Sequence, residues 1–157
     1  MAIGNIVPLQ EDLTKEELRL SILRGIENAF RVDKKLASGE SLELGEFGVL
    51  QNDDTMARPG ATPSAATYLV FCGSERYDSH ATGQITLIMN SNLIAKTSRY
   101  NQAGSYSVGT ELTVKDLGAG QASLTPASNG EFVLAKVNQV GSGYLVYELL
   151  SSPHKKA

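Results

Sequence analysis

Between residues 105 and 150, short apolar runs alternate with turns rich in Gly, Ser and Asn. The runs are 111–115, 121–125, 131–140 and 144–150, and the breaks are 116–120, 126–130 and 141–143. Turn-forming residues between such runs predict short antiparallel strands. The feature constrains the chain strongly, because it specifies a small β-unit almost strand by strand and attaches no visible chemistry to it.

Composition agrees with that reading. The chain has 157 residues, enough for one domain with a real core, or a smaller domain plus an arm. Hydrophobic residues make up 41% and charged residues 20%, both slightly low for a soluble domain, with Gly, Ser, Thr and Asn making up the difference. The net charge of -3 argues against a protein that coats DNA, which needs a basic surface to release counterions. The single cysteine, Cys72, excludes an intrachain disulfide framework and a cysteine-only zinc cluster. It lies in the apolar run 68–72 and reads as a small buried core residue rather than a reactive thiol. No run approaches the length of a membrane span, and residues 1–10 lack the basic and apolar regions of a secretory signal. The expectation is a soluble protein made in a reducing cytoplasm.

Toward the N-terminus, residues 1–12 read as an extended arm, with Pro8 disfavouring helix. Thr14 and Glu17 have the spacing of a capping box. From there Leu18, Ile22, Ile26 and Phe30 recur every fourth residue, which predicts an amphipathic helix from Thr14 to about Val32. Such a helix is about 27 Å long, only marginally stable alone, and weakened by about 1 kcal/mol at Gly25. Its apolar stripe must pack on its own domain or on a neighbouring subunit, which makes Leu18, Ile22, Ile26 and Phe30 candidate partner-binding residues.

Ser38-Gly39 ends this segment. Strands are then expected over 41–50, 67–72, 84–90 and 92–100, with a turn at 51–54 and loops at 56–63 and 73–83. Gly45 and Gly48 within the first of these suggest a bulge or a close backbone approach. Residues 151–157 read as a frayed polar tail. The expected fold is mainly β: a small β-barrel or β-sandwich with an N-terminal arm and one amphipathic helix. Its parts are an arm and helix over 1–37, a β-domain over 38–151 and a tail over 152–157.

Each candidate for chemistry has a plainer structural reading. Asp53-Asp54 with Glu46 lacks the alternating acids, central Gly and terminal Glu of a calcium loop, and fits a turn. Asp78-Ser79-His80 holds the residue types of a serine triad, but triads assemble in space and no G-x-S-x-G elbow is present. His154, the other histidine, lies in the tail, so no three-ligand zinc site can be placed. Gly118-Ala119-Gly120 and Gly141-Ser142-Gly143 join two strand-like runs each and fit hairpin turns better than phosphate cradles. The tyrosines at 68, 77, 100, 106, 144 and 147 lack the interleaved basic residues of a single-strand groove, and fit rims of a core or interface. No catalytic residue, cofactor or metal site is assigned.

Certain stretches nevertheless resemble a family. Residues 47–60, Phe-Gly-Val-Leu-Gln-Asn-Asp-Asp-Thr-Met-Ala-Arg-Pro-Gly, look like a strand, an acidic turn and a return strand. Tyr68-Leu69-Val70-Phe71, Arg76-Tyr77-Asp78-Ser79 and Thr82-Gly83-Gln84-Ile85-Thr86-Leu87 follow. Then come Val108-Gly109-Thr110-Glu111-Leu112-Thr113-Val114, Ser123-Leu124-Thr125-Pro126-Ala127, Gly130-Glu131 and Gly143-Tyr144-Leu145-Val146-Tyr147-Glu148-Leu149. From about Leu44 to Leu150 the set resembles small structural proteins of tailed bacteriophages, in particular capsid decoration (cement) proteins. The resemblance implies a barrel or sandwich without an active site. It also implies binding to the major capsid protein on the outside of the assembled head, often as a homotrimer, with no direct contact to nucleic acid or membrane. The alternatives are another virion part (tail, baseplate or head–tail component), or a nucleic-acid- or carbohydrate-binding β-module.

Overall fold

The computed structural model describes residues 19–75, 82–89, 92–118 and 120–157. In chain order its strands are β1 (Ser21–Arg24), β2 (Phe30–Leu36), β3 (Phe47–Leu50), β4 (Thr55–Ala57), β5 (Thr67–Cys72), β6 (Gln84–Met89), β7 (Ile94–Thr97), β8 (Glu111–Asp116), β9 (Ala122–Pro126), β10 (Phe132–Gly141) and β11 (Tyr144–Lys155). Five of them close a barrel in the order β2-β4-β3-β5-β6, and six form a sheet in the order β1-β7-β11-β10-β8-β9. The sheet is antiparallel throughout, whereas the barrel closes through one parallel pair, β2 with β4. The protein is thus mainly β and contains a small closed barrel, as the strand-and-turn pattern predicts.

Barrel strands alternate between two apolar environments, as the two-residue period of a strand requires. Val70 on β5 and Ile85 and Leu87 on β6 point into the barrel, where they join Leu42 and Met56. Phe47, Leu69 and Ile88 stand side by side on β3, β5 and β6 and face the other way. They meet Ala95, Leu112, Val114, Leu124, Leu134, Leu145, Tyr147 and Leu149 of the sheet in the larger core. The strands are therefore shared between the barrel interior and the barrel–sheet interface, so the two layers hold each other.

The helix expected from Thr14 to Val32 is not what the described residues form. Ser21–Arg24 is a strand at the edge of the sheet, pairing with Ile94–Lys96 of β7. A single 3-10 turn at Ile26–Asn28 follows, entered through Gly25 at φ 94, and Phe30–Leu36 is a barrel strand. The difference has a physical cause. A four-residue spacing lies close to the helical period but is also twice the strand period, so Ile22, Ile26 and Phe30 fit both patterns. Pairing of 30–35 with β6 over six consecutive residues decides the contest. Consequently the β-body begins near residue 20, well before the expected boundary at 38. Residues 1–18, with the expected arm, the capping box and Leu18, lie outside the described residues.

The expected tail is also structured. β11 runs to Lys155, with His154 opposite Val133 and Lys155 opposite Phe132. Beyond it the Lys156 N–H donates to the Glu131 carbonyl at 2.8 Å, the Gly130 N–H donates to the Lys156 carbonyl at 2.8 Å, and Lys156 Nζ donates to the Ala127 carbonyl at 3.0 Å. Residues 152–156 read as a tail because Ser-Pro-His-Lys-Lys has no apolar alternation, yet the partner strand supplies the pairing. Removing 152–157 is expected to destabilise the protein by about 2–3 kcal/mol, the net worth of a few hydrogen bonds at about 1 kcal/mol each. A urea unfolding curve indistinguishable from that of the full chain would contradict this.

Candidate functional site

The segment 40–46 carries no regular strand, yet it is tied along β5 and its C-terminal extension. Gly45 N–H donates to the Val70 carbonyl at 3.0 Å, and Val70 N–H donates to the Glu46 carbonyl at 2.8 Å. The Leu42 N–H donates to Ser74 Oγ at 2.8 Å, and the Leu44 N–H to Glu75 Oε2 at 2.8 Å. Glycine is needed at Gly45 because the chain crosses the backbone of Arg19 there; an added Cβ would lie 2.2 Å from the Arg19 carbonyl oxygen. Of the bulge or close backbone approach expected at Gly45 and Gly48, Gly45 shows the close approach of another backbone, whereas Gly48 is crowded by side chains. A Cβ on Gly48 would stand 2.5 Å from Leu42 Cδ1.

This crossing gathers charge from distant parts of the chain. Arg99 Nη2 donates to Glu43 Oε1 at 2.9 Å, and Arg99 Nη1 lies 3.6 Å from Glu46 Oε2. Arg58 Nη2 approaches the same Glu46 oxygen only to 3.9 Å, and Arg19 lies 3.9 Å from Glu75. Arg99 Nε is buried without a hydrogen-bond partner among the described residues. No local motif announces these residues, because Arg19, Glu46, Arg58 and Arg99 are far apart in sequence and only the topology unites them.

Beside this network lies an open cleft of about 740 Å³. Gly45, Glu46, Phe47 and Arg58 form one wall, and Ser98–Gln102 with Leu117, Gly118 and Gln121–Leu124 form the other. The second wall is fixed by a β-like join. Asn101 N–H donates to the Leu124 carbonyl at 2.7 Å, and Tyr100 bridges Leu124 in parallel register. Tyr100 and Tyr106 meet edge to face with centroids 5.4 Å apart, and the Tyr106 hydroxyl donates to the Asn101 carbonyl. Burial, reinforced by the neighbouring Tyr100 phenol, pushes the Tyr106 hydroxyl up to about 12.

The candidate partner residues are divided by the fold. Ile22 and Ile26 are half-buried and pack against the large core, so they mainly hold β1 and the turn to their own body. Phe30 is 59% exposed at the start of β2, and Leu23, which a helical reading places beside the stripe, is 55% exposed. The two exposed side chains flank the 3-10 turn.

The other candidates resolve into structural roles. Asp53 accepts from the Thr55 hydroxyl at 2.6 Å and the Thr55 N–H at 3.2 Å, and these bonds hold its carboxyl below its ordinary value. Asp54 pairs with Lys34 at 2.7 Å, while Glu46 belongs to the arginine network, so the acids do not converge. Among the described residues, no group of three or more His, Cys, Asp or Glu side chains could hold a metal ion. His154 on β11 lies 3.3 Å from Glu111 on β8, and Asp78-Ser79-His80 lies outside the described residues. Gly118 and Gly120 lie in the β8–β9 turn, and Ser142-Gly143 closes the β10–β11 hairpin. Tyr144 carries Lys96 Nζ over its ring at 4.3 Å, Tyr147 is fully buried, and Tyr77 is outside the described residues. Cys72 is a free thiol at the end of β5 and is half-buried, more accessible than a core position. Compared with family models, curated proteins and solved structures, the chain matches none.

Proposed function

We propose that the protein is a non-enzymatic structural component of a tailed-phage virion, a decoration (cement) protein that binds the outer surface of the assembled head and stabilises it. The reading rests on the resemblance of residues 44–150 and on one structural observation. At the N-terminal end of the body, β1 is an edge strand with β7 as its one described partner, and it leaves Leu23 exposed across a short turn from exposed Phe30. An open strand edge next to large apolar side chains is a surface suited to another protein. The Leu18–Phe30 region is the candidate grip on sequence grounds, and the exposed pair narrows it to Leu23 and Phe30.

The energetics fit a lattice partner. Each contact can be weak, because many identical copies on one shell act together. A ligand that binds only the assembled shell stabilises it by mass action. Purified protein is expected to co-sediment with mature heads of its own phage and to raise their resistance to heat. Leu23→Asp with Phe30→Asp should lower retention at least about tenfold, the effect of losing about 1.4 kcal/mol per bound copy. Absence from virion protein gels and from sedimented mature heads would refute the reading, and immunogold label on the tail would move it to another virion part.

A further inference from the structure

We propose that the cleft beside Arg58 and Arg99 is a binding site for neutral oligosaccharides. The inference goes beyond the capsid reading and does not depend on it. It rests on a gap in the charged network. Glu46 Oε2 stands 3.6 Å from Arg99 Nη1 and 3.9 Å from Arg58 Nη2. An N–H···O hydrogen bond spans about 2.7–3.2 Å, so both separations are too long for one. The groups around the gap are fixed from outside it. Glu46 is anchored through its other oxygen, Oε1, which accepts from the Glu43 N–H at 2.7 Å. Arg99 is anchored by Nη2, which donates to Glu43 Oε1 at 2.9 Å, and by its N–H, which donates to Thr97 Oγ1 at 2.9 Å. The Arg58 main chain is held where its N–H donates to Glu40 Oε1 at 2.5 Å.

The gap has a definite chemistry. It sets two guanidinium donors against one carboxylate acceptor, so it is complemented by a group that accepts and donates at once. A hydroxyl does both, and neighbouring hydroxyls on a sugar ring do so side by side. One such hydroxyl accepts from an arginine while its own proton goes to Glu46. Both bonds have a charged partner and are stronger than bonds between neutral groups. Charge balance then sets the ligand class. Arg19, Arg58 and Arg99 are answered by Glu43, Glu46 and Glu75. A phosphate or carboxylate placed in the gap would be repelled by Glu46, and an amine by the two guanidiniums. A neutral polyol meets neither penalty.

The rest of the cleft agrees. Ser98, Gln102, Gln121 and Ser123 line it, and their hydroxyl and amide side chains also both donate and accept. That wall is pinned where the Asn101 N–H donates to the Leu124 carbonyl at 2.7 Å. The volume of about 740 Å³ falls within the roughly 300–1,000 Å³ of small-molecule sites. Its open shape admits a chain of linked sugar rings rather than one enclosed ring.

The test screens the full chain on a glycan array that includes maltotriose, mannotriose and trigalacturonate. Binding is expected to neutral glycans and not to uronate, sialylated or sulfated ones. In the unmodified protein, the neutral trisaccharide that binds most tightly should shift the amide NMR signals of residues 98–102 and 121–124 and leave those of β2 in place. This readout needs no variant, so it does not hinge on a substitution that fails to fold. Glu46→Gln should then weaken that trisaccharide at least about tenfold, the worth of one charge-assisted hydrogen bond, and remove the discrimination against trigalacturonate. Arg58→Gln should weaken it by a similar factor. No binding to any neutral glycan, a preference for acidic ones, shifts confined to other parts of the protein, or a folded Glu46→Gln variant that binds as tightly as the unmodified chain would each overturn the proposal.

Discussion

Replacing Gly45 with valine is expected to destabilise the protein by about 3–5 kcal/mol, among the largest effects a single substitution produces. Two costs combine. Gly45 has φ +86, a left-handed conformation that costs an L-residue about 1–2 kcal/mol. The added Cβ would also lie 2.2 Å from the Arg19 carbonyl oxygen and 2.9 Å from its carbon, and backbone cannot swing aside as a side-chain tip does. Relief requires Arg19 and loop 43–46 to separate, which loosens the Gly45–Val70 hydrogen bond and moves Arg19 away from Thr97. Gly39 provides the control, with φ +80 and nothing within 4 Å of the point where a Cβ would stand. Gly39→Ala should show the conformational cost alone, about 1–2 kcal/mol. Urea unfolding of both variants decides the matter: if Gly45→Val falls within about 1 kcal/mol of Gly39→Ala, the crossing at Arg19 is not a tight contact.

The hairpins are legible in the sequence because each carries its own turn chemistry. Glycine and asparagine mark the reversals on either side of 111–116, 122–126 and 132–141, and the strands begin and end within one residue of the expected positions. Strand β4 is harder to read, since three residues between an Asn-Asp-Asp turn and Arg58-Pro59 give too short a window for a period to register. The segment 21–36 misleads for the opposite reason, because its period is clear but compatible with two structures. Only the partner strands, β7 for Ile22 and β6 for Phe30–Lys35, settle which one forms. Residues 151–155 likewise become a strand because β10 extends opposite them.

The site is less legible than the fold. Ile22 and Ile26 stand out for an apolar face they do possess, but the face meets their own core. Phe30 shares the same spacing and is exposed, while nothing in the spacing separates its exposed counterpart Leu23 from the stripe. Arg58 and Arg99 give no sequence signal. An arginine before a proline and an arginine in a Ser-Arg-Tyr stretch look like ordinary surface charges until the chain crossing at Gly45 brings both to Glu46. Sites built by topology from isolated residues leave no spacing to read.

Tyr147 yields the second large effect, and its sign depends on which atoms are removed. The side chain is fully buried among the core residues and its ring lies 6.3 Å from that of Phe47. Tyr147→Ala is expected to cost about 3–5 kcal/mol, the usual penalty for emptying an aromatic site in a core. Tyr147→Phe should instead be neutral or stabilising by about 1 kcal/mol, because the hydroxyl is buried without a hydrogen-bond partner among the described residues. The same burial raises the Tyr147 hydroxyl well above its ordinary value of 10.0, since the charged phenolate is poorly solvated there. A raised folded value means the native state holds this proton more tightly than the unfolded chain. Stability is therefore intact below about pH 10 and falls as pH rises above it, by up to about 1.4 kcal/mol per pH unit for this group. Tyr106, pushed up to about 12, loses stability over the same window and remains in the variant. Tyr147→Phe should thus flatten, without abolishing, the alkaline decline measured by urea unfolding between about pH 7 and about pH 11. A variant that loses more than about 1 kcal/mol at about pH 7 would mean the hydroxyl has a bonding partner, and an unchanged alkaline slope would mean it titrates as freely as in the unfolded chain.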